Sequence, residues 1–139
     1  MVEVIAGGKG IGKTRFLIDK ANGTLKEAEG SIVYVDKSTK HMYELNNRIR
    51  LINLSEFPVR GTDGFTGFIS GIISQDHDLE YMFLDSFLKL ADTGIEGIPA
   101  VLDTLEALSE QFDITFVISI ALDESELPES IRNKVTVSL

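Results

Sequence analysis

Residues Val2 to Thr14 read V-E-V-I-A-G-G-K-G-I-G-K-T, and the rest of the chain is placed relative to them. The opening residues are rich in β-branched side chains, the composition of a short strand. The next eight fit G-x-x-x-x-G-K-[ST], with Gly7, Gly12, Lys13 and Thr14 at the fixed positions. The spacing has a physical basis. Glycines let the backbone turn so that successive N–H groups point inward, making a concavity for an anion. The lysine adds a point charge that reaches the β- and γ-phosphates of a nucleotide, and the next hydroxyl is a Mg²⁺ ligand. A helix opening near Lys13 aims its positive end at the same anion. The cradle expected from this Walker A pattern comprises Gly8, Lys9, Gly10, Ile11, Gly12, Lys13, Thr14 and Arg15. A glycine-rich turn without a ligand is the plainer reading. The apolar strand before it and the helical pattern after it are the context that phosphate binding requires.

A chain of 139 residues suits one domain, 1–139, with one substantial core. No apolar run is long enough to cross a bilayer, and no signal-peptide pattern opens the chain. With the first strand starting at residue 2 there is no room for a targeting segment, so the expected location is cytoplasmic. The absence of cysteine excludes disulfides, thiolate zinc sites and cysteine nucleophiles. A net charge of −9 argues against a broad nucleic-acid surface and leaves room only for a local basic groove. Arg48, Arg50 and Arg60 are the basic cluster outside the loop, read as solvated charge around a strand.

Beyond the loop, apolar and amphipathic runs alternate. Lys13 to about Ala21 is a helix, with Asn22-Gly23 as its stop and a second helical turn over Thr24–Ala28. Ser31 to Asp36 is a strand apolar on both faces, and Ser38 caps a helix through Tyr43 and Leu45. Arg48 to Leu54 is a less apolar strand, nearer an edge. Gly64 to Ser74 carries Phe65, Phe68, Ile69, Ile72 and Ile73 at helical spacing, capped by Thr62 or Asp63. Gly64, Gly67 and Gly71 form a small-residue stripe beside it, expected to allow close packing on a sheet. Tyr81 to Asp85 is a strand, Ser86 to Ala91 a short helix or an outward run, and Pro99 to Phe112 a helix. Ile114–Ile120 and Val135–Leu139 complete the strands, with one helical turn in the loop between them. Alternation of this kind implies right-handed crossovers and a mainly parallel α/β sheet with helices on both faces.

The apolar run Met82-Phe83-Leu84 ends in Asp85-Ser86. A buried strand there delivers Asp85 to the carboxyl edge of the sheet, where it can hold a Mg²⁺ water opposite Thr14. With Gly7–Thr14, this run resembles the P-loop NTPases, and among them the RecA/KaiC-like group. The resemblance implies a three-layer sandwich with the loop strand central and another strand between it and the Asp85 strand. It further implies ATP and Mg²⁺ as cofactors, with Thr14 and Asp85 holding the metal and Lys13 and Asp85 serving catalysis. The guanine-specific N/T-K-x-D run is absent.

Two departures qualify the implied activity. That group places a glutamate after the second strand or beside the metal-site aspartate, to polarise the attacking water; here Asp36 and Ser86 stand there. Asp36 is read either as a shortened catalytic base or as a cap for the next turn. Ser119 is read either as a sensor of the γ-phosphate or as a small buried hydroxyl. Variant loops with a second signature lysine carry it where Gly8 stands, which makes Lys9 a solvated loop residue. His41 and His77 read as surface residues. Arg60, Arg132 and Lys134 are the candidate cations for stimulating phosphoryl transfer from a neighbouring subunit. Three functions compete: a slow Mg²⁺-dependent ATPase stimulated by a protein partner or by homo-oligomeric assembly, a nucleotide-binding regulatory module without turnover, and a small-molecule or nucleotide kinase. The acidic Asp123–Glu129 loop, which has no arginine, weighs against the kinase.

Overall fold

A computed structural model describes residues 1–10 and 12–139. The described residues form six strands: β1 (Val2–Ala6), β2 (Ser31–Asp36), β3 (Arg50–Asn53), β4 (Leu79–Leu84), β5 (Thr115–Ile120) and β6 (Val135–Ser138). The helices are α1 (Lys13–Thr24), α2 (Gly61–Ser74), α3 (Phe87–Ala91) and α4 (Ile98–Phe112). The strands form one sheet in the order β3-β2-β4-β5-β1-β6, and every pairing is parallel. As expected, β5 separates β1 from β4. Contrary to expectation, β1 is not central: it is the penultimate strand, with β6 outside it.

Both faces are covered, because successive residues of each strand point to opposite sides. Val33, Val35, Met82, Leu84, Phe116 and Ile118 join the core under α2, α3 and α4. Ile32, Tyr34, Phe83 and Val117 join the smaller core under α1. This is the three-layer α/β sandwich. On α2 the apolar stripe works as its spacing indicates: Phe65, Ile69, Ile72 and Ile73 are buried. Each such side chain contributes about 1.5–3 kcal/mol by leaving water.

The departures from the sequence reading have local causes. α1 runs through Asn22-Gly23 to Thr24, because Thr24 accepts the next turn's amide and its own hydroxyl donates to the Lys20 carbonyl. The helix expected after Ser38 is a run of turns: Met42 and Glu44 donate to carbonyls three residues back. With Met42 and Tyr43 exposed, the segment has no continuous apolar face to bury, and packing is what stabilises most helices. The glycine stripe of α2 does not pack on the sheet. Gly67 and Gly71 are exposed, and a methyl group at either would touch nothing within 4 Å. The start of α2 lies ahead of Thr62 and Asp63, and the Gly61 amide is capped from a distance by Asp92 Oδ2 at 2.8 Å.

Candidate functional site

The loop between β1 and α1 crosses the carboxyl edge of the sheet. Gly10 and Gly12 have φ of 78° and 85°, the left-handed region where a side chain is strained. That is the physical reason for glycine here. Gly7 N–H donates to the Leu122 carbonyl at 2.8 Å, tying the loop's first residue to the segment after β5. Lys13 Nζ curls back to the Gly8 carbonyl at 2.7 Å. Its charge therefore stands within the loop. Burial pushes the Lys13 ammonium below its ordinary pKa, opposed by the Asp85 charge. Ile11 lies outside the described residues.

Asp85 follows β4 directly and is 2% exposed. A buried carboxylate is costly unless donors replace its water. Here Tyr34 O–H donates to Oδ2 at 2.9 Å, and Ser119 O–H to Oδ1 at 2.8 Å. Thr14 Oγ1 lies 3.4 Å from the same Oδ1. These hydroxyls come from β2, β5 and α1, so the fold itself assembles the group. The Ser119 oxygen in turn accepts the Ser86 amide at 2.9 Å. Burial first, then the adjacent Asp85, holds the Tyr34 phenol far above its ordinary pKa. Tyr34 carries no signal in the sequence, because only the pairing of β2 with β4 brings its hydroxyl to Asp85.

Asp36 ends β2, half buried, and accepts the Lys37 amide at 2.7 Å. Its carboxyl is raised above the usual range, by burial first and by the Asp85 charge second; the Lys37 amide, His41 and Lys89 oppose this. Ser119 bonds a side-chain carboxylate and a backbone amide, and is buried.

Above Asp85 opens a cleft of about 560 Å³, lined by Lys9, Gly10, Gly12, Lys13 and Thr14 on the loop side. Ser86, Leu88 and Lys89 line the α3 side, with Ala121 beyond β5 between them. Leu88 and Lys89 are missing from the residues that the sequence reading singles out. Their signal is faint: Phe87, Leu90 and Ala91 are buried at helical spacing, which turns Leu88 and Lys89 outward. The other expected cations lie elsewhere. Arg15 pairs with Glu44 and with Asp19, and it is not among the residues that line the cleft. Arg132 donates to the Leu127 and Ser125 carbonyls at 3.0 Å, and Lys134 pairs with Glu106 at 2.7 Å. Arg60 is exposed just before α2. His41 pairs with Glu44, and His77 is at the opposite edge of the sheet.

The donor set suits a particular kind of metal. Among the described residues no cluster of three or more His, Asp or Glu forms a protein-only metal cage. One hydroxyl and one carboxylate at the mouth of a cleft is the kind of set that holds Mg²⁺ together with phosphate oxygens and water.

No family model matches the sequence, and no curated protein matches it. The fold has solved counterparts. The flagellar accessory protein FlaH from Methanocaldococcus jannaschii superposes with a TM-score of 0.62 at 16% identity, covering 95% of this chain. The chain spans about two thirds, 65%, of FlaH's length. Among the described residues no helix is long and apolar enough to cross a membrane. The chain has the RecA-like fold, a parallel three-layer α/β sandwich.

Proposed function

We propose that this chain binds ATP with Mg²⁺ in the cleft over Asp85 and hydrolyses it slowly, with turnover raised by a partner protein or by self-assembly. The observation that carries the reading is the convergence of the Lys13 ammonium, the Thr14 hydroxyl and the buried Asp85 carboxylate beside left-handed glycines. In this reading the loop amides and Lys13 bind the phosphates, while Thr14 and Asp85 hold the metal and its water. Mg²⁺ supplies charge neutralisation of the transferring phosphate. Asp85 accepts from its hydroxyl donors, and Asp36, at the end of β2, is the group given the proton of an attacking water.

One observation favours a second reading, a nucleotide-binding module without turnover. Asp36 is short for a base, and its carboxylate already accepts the Lys37 amide. Phosphate release and ATP binding, each measured with Mg²⁺ and with Asp36→Asn and Asp85→Asn variants, separate the two. The ATPase reading expects release that Asp85→Asn abolishes and Asp36→Asn reduces about tenfold or more. Tight ATP binding with no release under any condition leaves the module. No binding by the folded wild-type chain defeats both.

A further inference from the structure

Arg60, Arg132 and Lys134, the cations expected to reach a neighbouring subunit's phosphate, do not line the cleft of their own chain, and two of them are bound within it. The cleft nonetheless has cations on both sides: Lys9 and Lys13 from the loop, and Lys89 from α3. The chain carries 22 acidic residues against 13 basic ones, so a lysine facing a cleft has many carboxylates available to it. Lys20 and Lys134 have taken such partners. Among the described residues Lys89 has no carboxylate within ion-pair distance, although its charge is felt at Asp36.

The position of Lys89 is held by the backbone. Ser86 adopts φ 57° and ψ 58°, a left-handed turn that redirects the chain immediately after Asp85. Asp92, also left-handed with φ 54°, ends the helix. Between them Phe87, Leu90 and Ala91 are anchored in the core, so the exposed Lys89 stem rises from a fixed base. In the sheet, β5 lies between β4, which feeds α3, and β1, which feeds the loop. The two cleft walls therefore start about 10 Å apart, two strand spacings. A lysine stem from one wall and a phosphate chain seated on the other span such a distance together.

We infer that Lys89 is the cation that recognises the terminal phosphate, so that the cleft distinguishes a nucleoside triphosphate from a diphosphate through a charge of its own chain. This inference rests on the nucleotide-binding reading above. On it, Lys13 and the loop amides hold the phosphates common to ATP and ADP, and Lys89 contacts only the one that ADP lacks. A free ammonium on α3 then needs no neighbouring subunit to complete triphosphate recognition.

The test is a titration of the full chain with fluorescent ATP and fluorescent ADP in Mg²⁺, for wild type, Lys89→Met and Lys89→Arg. Methionine keeps the stem and removes the charge. The wild type is expected to prefer ATP. Lys89→Met is expected to lose about tenfold or more in ATP affinity, the size of one charge-assisted hydrogen bond, with ADP affinity changed less than about twofold. Lys89→Arg is expected to retain most of the preference. Equal loss for ATP and ADP, no loss for either, no wild-type preference, or an arginine variant that behaves like methionine overturns the role given to Lys89 while leaving the nucleotide site standing. A folded wild type that binds neither nucleotide overturns the site and this inference together.

Discussion

The two edges of the sheet make an instructive pair. Each has a cleft of similar size, about 560 Å³ at the carboxyl edge and about 500 Å³ at the amino edge. Each has glycine and acidic residues. At the amino edge Glu29, Asp78, Glu80 and Asp113 line the opening with His77, and no lysine or arginine joins them among the described residues. The polar groups there satisfy one another: Glu80 accepts the Gly30 amide at 2.7 Å, and the Ser31 amide donates to the Asp78 carbonyl at 2.7 Å. At the carboxyl edge lysines from two elements face the opening above one buried carboxylate. The glycines differ in the same way. Gly30 is required because a Cβ would lie 1.9 Å from the Asp78 carbonyl oxygen, a packing constraint. Gly10 and Gly12 face open space and are required by φ alone. Cavity size therefore does not distinguish a candidate site from a seam. Convergent charge with room to spare does.

The largest effect expected from breaking this contrast is at the seam. Gly30→Ala forces a methyl group into a backbone carbonyl and should cost about 3 kcal/mol of stability. Urea unfolding should show that loss, while the folded fraction binds ATP as the wild type does. A change in nucleotide affinity at equal folded fraction would mean that the two edges are coupled. The complementary change is Lys13→Ala, expected to weaken ATP binding by about 2 kcal/mol, about thirtyfold in Kd. Its urea midpoint should hardly move, because among the described residues the ammonium bonds only the Gly8 carbonyl. A large drop in midpoint would make Lys13 a structural residue of the loop and remove the contrast.

The smallest effect sharpens the comparison through pH. Asp36 has its pKa raised in the folded chain above the ordinary carboxylate value of 3.8. The folded state thus holds that proton more tightly, and stability falls as pH rises from there through the folded pKa. Asp36→Asn removes the loss. Its Tm should exceed that of wild type by a few degrees at neutral pH, with the gap closing as pH falls toward 3.8. An equal Tm at all pH values would place Asp36 in ordinary solvent contact.

The strands and the loop were legible because their signals are local. β-branched runs, helical spacing and a glycine pattern with fixed intervals depend on neighbours in sequence, and Asp85 was found because a buried strand ending in acid has one edge to point at. The rest depends on partners that sequence spacing does not encode. Tyr34 meets Asp85 only through the β2–β4 register, where Tyr34 pairs with Phe83. Lys89 faces the cleft only because Ser86 turns left-handed, which a serine seldom does and nothing adjacent announces. The helix expected after Ser38 failed for the converse reason. Ser38 does accept the Lys40 amide at 2.9 Å as a cap residue should, yet a cap starts a helix only where a face can be buried behind it.

The bond from the Gly61 amide to Asp92 Oδ2 joins the end of α3 to the start of α2. Asp92 is the left-handed residue that closes α3, and α3 carries one wall of the cleft. Any shift of α3 must therefore either drag the first turn of α2 with it or release the Gly61 amide to water. That amide is a gauge of the cleft wall, well separated in sequence from the loop residues: its rate of deuterium uptake counts how often α3 lets go.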